Sequence, residues 1–143
     1  MPYEFVDELT VADIAFRAWG RDLEETFVSA ANAVMNTMVE DLDTIQPHDT
    51  RILSVAHEAL DLLLFNFLQE LVYYKDADQL LLRIQQLRIA DDHPPYTLHA
   101  TAVGEPIDPG RHRLRVDVKA VTLHRFLLMQ TDGGWEATVI LDI

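Results

Sequence analysis

Trp135 to Ile143 reads W-E-A-T-V-I-L-D-I, and there the chain stops. Asp132, Gly133 and Gly134 precede it, so the β-branched and apolar residues that follow are expected to form a strand after a tight turn. Chain ends normally fray and are written in small or polar residues. This one closes on Ile140, Leu141 and Ile143, so Asp142 and the terminal carboxylate are expected to be held in place. Two carboxylates one residue apart on a rigid strand end destabilise each other unless a cation or a donor sits between them. Something positive is therefore expected there; the alternative is an edge strand that ends at the surface with a solvated Asp.

The 143 residues suit one domain with a sizeable core, and 49% apolar with 24% charged residues is ordinary for a soluble globular protein. No apolar run approaches the roughly 20 residues a bilayer helix needs. The start, M-P-Y-E-F, lacks the basic and apolar regions of a signal peptide, so a cytoplasmic protein with no membrane partner is expected. Cysteine is absent, which removes disulfides, thiolate metal sites and thiol catalysis together. The formal charge of -13, from 24 acids and 11 bases, repels phosphate backbones and argues against a freestanding nucleic-acid binder. The bases are uneven, however: Arg111, Arg113, Arg115, Lys119 and Arg125 share a stretch with a single acid, Asp117.

Upstream, Tyr3–Asp7 and Ile14–Trp19 alternate as short strands do, with Glu8–Asp13 between them. Asp22 with Glu25 three residues on is a helix cap of the capping-box type. From Leu23 the apolar residues Phe27, Ala30, Ala31, Val34, Met35 and Met38 keep helical spacing, which predicts a helix ending near Glu40. Glu40, Asp41 and Asp43 then fall where the helix dipole is negative, a place a cation partner would relieve. Arg51–Ala56 reads as a strand and Glu58–Tyr74 as a helix with a broad apolar stripe. Leu80–Ile89 and Tyr96–Val103 read as strands, Gly104–Gly110 as a loop, and Arg113–Val118 alternates again before the terminal hairpin. This order fits an α+β domain, with two helices packed on a mostly antiparallel sheet.

No glycine-rich phosphate loop, nucleophile elbow or histidine pair at helical spacing is present, so no catalytic residue is assigned. Carboxylates dominate, and they suit a hard cation such as calcium, magnesium or manganese. The run Gly104–His124, G-E-P-I-D-P-G-R-H-R-L-R-V-D-V-K-A-V-T-L-H, with the closing L-D-I, resembles the archease family. Tyr3-Glu4-Phe5, Ala12-Asp13-Ile14, Arg17-Ala18-Trp19-Gly20 and Leu23-Glu24-Glu25 are similar to that family's amino-terminal signature and first helix. There are departures: the family's H-T-A-D-I-G is written L-T-V-A-D-I-A here, without the His, and Leu123 replaces a Tyr.

The resemblance implies a small accessory protein that activates the RtcB-type RNA-splicing ligase, meets RNA only through that ligase, and performs no bond chemistry itself. It implies a divalent metal site, calcium or magnesium or manganese, at Asp13, Asp142, the carboxylate of Ile143, and Glu40 or else Asp41. Lys119 and His124 match the K-A-V-T motif and could contact the ligase or its nucleotide, or could orient the strands. A metal-dependent phosphoester hydrolase and a general chaperone or adaptor without metal remain as alternatives.

Overall fold

The helix expected after Gly20 is α1, Leu23–Met38. Asp22 caps it as the sequence predicts, its side chain accepting from the Glu25 N–H at 2.8 Å and satisfying a donor that every helix start leaves open. The helix stops at Met38 rather than Glu40, because Val39 is already extended and bridges to Leu114. The second helix, α2, begins at Leu60 rather than Glu58 and runs past Tyr74 to Asp78, where Gln79 turns left-handed at φ 55. Phe27 of α1 and Phe67 of α2 stack with ring centroids 6.0 Å apart.

The structure, a computed structural model, describes residues 2–10 and 12–143, with the backbone alone for 7–10. The strands are β1 Tyr3–Thr10, β2 Asp13–Gly20, β3 Asp49–His57, β4 Leu80–Ala90, β5 Tyr96–Pro106, β6 Ala120–Thr131 and β7 Gly134–Asp142. The α+β class holds, but the strands divide between two antiparallel sheets, ordered β1-β2-β7-β6 and β3-β5-β4. The breadth of the α2 stripe explains the division: a helix apolar on most sides needs cover on more than one. Accordingly α2 packs on the three-stranded sheet and against β6, while α1 packs on β2 and β7 and against β4. Leu63, Leu64, Phe67, Leu68 and Leu71 are fully buried where these layers meet. Among the described residues no helix is long and apolar enough to cross a membrane.

Three segments differ from expectation. The connection expected over Glu8–Asp13 is short, since β1 reaches Thr10 and β2 begins at Asp13; Val11 lies outside the described residues. Gly104 to Pro106 belong to β5 rather than to a loop, paired with Leu80 to Leu82 of β4. The bare Cα of Gly104 permits that approach, because a Cβ there would lie 1.7 Å from the Leu81 carbonyl oxygen. Gly104→Ala should therefore cost about 2–3 kcal/mol of unfolding free energy in a denaturant titration, as overpacking against backbone does.

The third segment, 113–118, is extended but joins no sheet. Its backbone bonds go instead to the open carbonyls at the end of α1, from Arg115 N–H to Met38 O at 2.8 Å and from Val116 N–H to Thr37 O at 3.3 Å. Alternating apolar residues thus mark an extended strap whose hydrogen-bonding partner is a helix terminus. Asp117 fastens the strap to α2 through Lys75 Nζ at 2.6 Å; Asp76 shares that buried amine. Burial alone would lower the Lys75 pKa, but the hydrogen bonds its amine donates to Asp117 and Asp76 outweigh it and raise it.

Candidate functional site

Asp13 opens β2 and Asp142 closes β7, and the ladder between those strands sets the two residues directly opposite each other. Opposed residues of an antiparallel pair share a face, with Cβ atoms about 4.5–5.5 Å apart. Both carboxylates are half-buried. The chain end is held as expected: the Ile143 N–H donates to Ala12 O at 2.8 Å, and its side chain packs on the core. The strap delivers Lys119 to the same corner, where its N–H donates to Asp142 O at 2.8 Å. Asp13, Asp142, Ile143 and Lys119 therefore gather at one end of the four-stranded sheet, although they are far apart in sequence.

Two directly opposed carboxylates form a natural seat for a hard, oxygen-seeking cation. Among the described residues no three His, Asp or Glu side chains gather closely enough to hold a metal by themselves. A full set would need further oxygen ligands.

Glu40 is engaged elsewhere. Its carboxylate pairs with Arg113 at 3.4 Å, and its N–H donates to Arg113 O at 2.9 Å. Asp41 caps the short 3-10 turn Leu42–Thr44, accepting from the Asp43 N–H at 3.0 Å. The cation expected to relieve this acidic cluster comes from arginines. Arg83 lies 3.9 Å from Asp43 and donates to Leu42 O at 3.1 Å, while Arg115 donates to Asn36 O at 3.2 Å. Positive side chains at a helix carboxyl end are stabilising, and α1 has none in its own last turn. The basic strip of the sequence is thus largely spent within the fold.

His124 lies on an irregular part of β6, where the register with β7 shifts between Thr122 and Leu127 and Arg125 adopts φ 54. It is exposed and separate from the carboxylate corner along the strand.

The motif G-E-P-I-D-P-G-R-H contains a group that sequence reasoning passed over. Glu105 is 4% exposed, and Arg111 Nη2 donates to its Oε1. Its Oε2 accepts from the Gln46 N–H at 2.6 Å. The buried His112 takes a hydrogen bond from the Asp108 N–H on Nδ1 at 2.9 Å, so its proton sits on Nε2 and is donated to Glu105 Oε2 at 3.0 Å. An acid followed by Arg and His six and seven residues later was the available signal.

Chiefly the Arg111 hydrogen bond, against the cost of burial and with help from Gln46 and His112, holds the Glu105 carboxyl down to about 2. A depressed carboxyl contributes stability that is fully present above its ordinary value of 4.5 and lost as pH falls towards 2. Unfolding free energy should decline across that window, and Glu105→Gln should flatten the decline in acid titrations followed by circular dichroism.

The sequence profile of the archease protein family matches residues 3–143. Protein archease of Pyrococcus abyssi is 35% identical over 133 residues, which are 92% of this chain and 93% of that one. Protein archease of Methanopyrus kandleri is 31% identical over 143 residues, the whole of both chains. The solution structure of Methanobacterium thermoautotrophicum protein 1598 superposes with a TM-score of 0.84 at 34% identity, covering 99% of each chain. A Thermotoga maritima archease, described as a possible chaperone, shares the fold, with a TM-score of 0.63 at 16% identity over 94% of this chain and 93% of that one.

Proposed function

The chain belongs to the archease family, and from that premise we propose that it is an accessory activator of an RtcB-type RNA-splicing ligase. On this reading it assists guanylylation and multiple turnover of the ligase in the cytoplasm, and contributes no bond-making group of its own. The observation that supports it most is the opposition of Asp13 and Asp142, with Lys119 bonded to Asp142 through its backbone.

Asp13, Asp142 and the α-carboxylate of Ile143 would hold a divalent ion, calcium or magnesium or manganese. When bound, such an ion supplies a concentrated positive charge and Lewis acidity. The protein residues supply the seat: the ladder sets the two side chains, and the Ile143 bond to Ala12 O keeps the chain end beside them. Glu40, with both its carboxylate and its N–H on Arg113, stays outside that set in this fold. Lys119 and the exposed His124 are the groups offered to the ligase.

The test is RNA ligation under multiple turnover, with and without the chain, beside phosphoester hydrolysis by the chain alone. Turnover that rises only when ligase is present supports the accessory role. Hydrolysis without ligase would replace it with a metal-dependent hydrolase. Equal, metal-independent effects on unrelated client proteins would replace it with a general chaperone.

A further inference from the structure

An edge strand presents unpaired N–H and C=O groups to any extended chain that meets it, and proteins blunt such edges with bulges, covering side chains, Lys or Pro. Three of the four sheet edges here are blunted. β1 breaks register between Val6 and Thr10. β6 breaks it between Thr122 and Leu127, and Gln69 Oε1 of α2 accepts from its Val121 N–H at 3.1 Å. β4 breaks it between Ile84 and Gln86, and Glu24 Oε2 of α1 accepts from its Ile89 N–H at 3.2 Å. β3 carries none of these devices. It pairs residue for residue with β5 over Asp49–His57 and contains neither Lys nor Pro. Among the described residues, the one side chain that donates to its backbone is its own Arg51, to Thr50 O at 2.9 Å.

The side chains on either side of this edge are open as well. Ile52, 67% exposed on the solvent face of β3, and Tyr73, 59% exposed on α2, are the two most exposed large apolar side chains among the described residues. α2 packs on the other face of β3, where Val55 joins Asn66, Gln69, Glu70 and Tyr73 in an open groove.

We infer that two copies of this chain pair antiparallel through β3 about Leu53, joining their three-stranded sheets into one of six strands. The β3 sequence selects its own copy as the occupant. Pairing about Leu53 sets Asp49 opposite His57, Thr50 opposite Ala56, Arg51 opposite Val55 and Ile52 opposite Ser54, so no like charges meet. The two Ile52 side chains become diagonal neighbours across the axis and cover each other. Arg51 of each copy enters the other's groove, whose wall holds Glu70. Within one chain Arg51 is only loosely engaged, 3.7 Å from Asp78 and 5.9 Å from the centre of the Tyr74 ring. A slip of two residues sets Arg51 opposite Leu53 or His57 instead, away from that groove, which fixes the register. Each copy carries a charge of -13, but this repulsion is screened beyond about 10 Å at 0.1 M salt, and the edge contacts lie within that range. The carboxylate corner is built on the other sheet, so the pairing stands independently of the accessory reading.

The test is sedimentation velocity at rising protein concentration in about 0.1 M salt. A concentration-dependent dimer is expected for the wild type. Arg51→Glu, which would meet Glu70, and Glu70→Arg, which would meet Arg51, should each raise the dimer dissociation constant about tenfold or more. An equal mixture of the two variants should dimerise as the wild type does, because each reversed residue then meets a reversed partner. Ile52→Lys changes a side chain already in water, so it should weaken the dimer at an unchanged melting temperature. A wild type that stays monomeric throughout would overturn the inference. So would a dimer that Ile52→Lys and both reversals leave intact, or a mixture of folded variants that fails to recover. Protection of the β3 amides from hydrogen exchange that appears in a monomeric chain only on adding the ligase would assign the edge to that protein instead.

Discussion

Glu105→Ala should lower the unfolding free energy by about 1–3 kcal/mol, the cost of leaving a buried hydrogen-bond donor unsatisfied. Glu105 is the common acceptor for Arg111, His112 and the Gln46 N–H, which come from two segments, the turn after β5 and the loop before β3. Its removal leaves the fully buried His112 Nε2–H without an acceptor and strips Arg111 of its carboxylate, although Arg111 keeps Thr44 O at 2.7 Å. The cost lies in what is left unpaired more than in the bonds lost. The effect should spread to the acidic loop, because Gln46 and Thr44 anchor it here, and to the start of the strap that carries Lys119. Urea titration measures it, and a loss under about 1 kcal/mol would show that the group is solvated and dispensable. Glu105→Gln, which keeps the shape and one acceptor, should fall between the two.

Asp13→Ala and Asp142→Ala should each abolish binding of calcium in isothermal titration while leaving the fold intact. Like charges directly opposite on neighbouring strands are destabilising, so deleting either carboxylate relieves repulsion in the unliganded chain. Its melting temperature should hold or rise slightly, and the wild type alone should be stabilised further by added calcium. That separation of stability from binding distinguishes a ligand seat from a structural pair. If either variant melted well below the wild type without metal, the two aspartates would be structural. If both bound calcium as the wild type does, the assignment of the seat would be wrong.

Much of this arrangement is legible in the residues alone. The cap at Asp22, the stripes of both helices, the terminal hairpin and the anchored end at Ile143 follow from periodicity and turn chemistry, which act over a few residues. Two sheets in place of one were not legible, because the choice depends on how much cover α2 needs from distant strands. The strap misled for the same reason: Leu114, Val116 and Val118 alternate as a strand does, but their neighbour is the open end of α1. Asp142 was singled out from the apolar strand end and Asp13 through family resemblance, and only the register of β2 with β7 sets them opposite each other. Glu105 was hidden because a carboxylate in a turn-rich stretch reads as solvated until its partners fold around it. Glu40 lay among acids without a visible cation, since its partner Arg113 is distant in sequence.

The most direct measurement is the rate of RNA ligation by the matching ligase under multiple turnover, with fixed metal, for the wild type, Asp142→Ala, and a chain lengthened by one residue after Ile143. The added residue moves the terminal charge without altering any side chain. The account predicts stimulation by the wild type, loss of it in both variants, and wild-type stability in both. Full stimulation by Asp142→Ala and by the lengthened chain would contradict it.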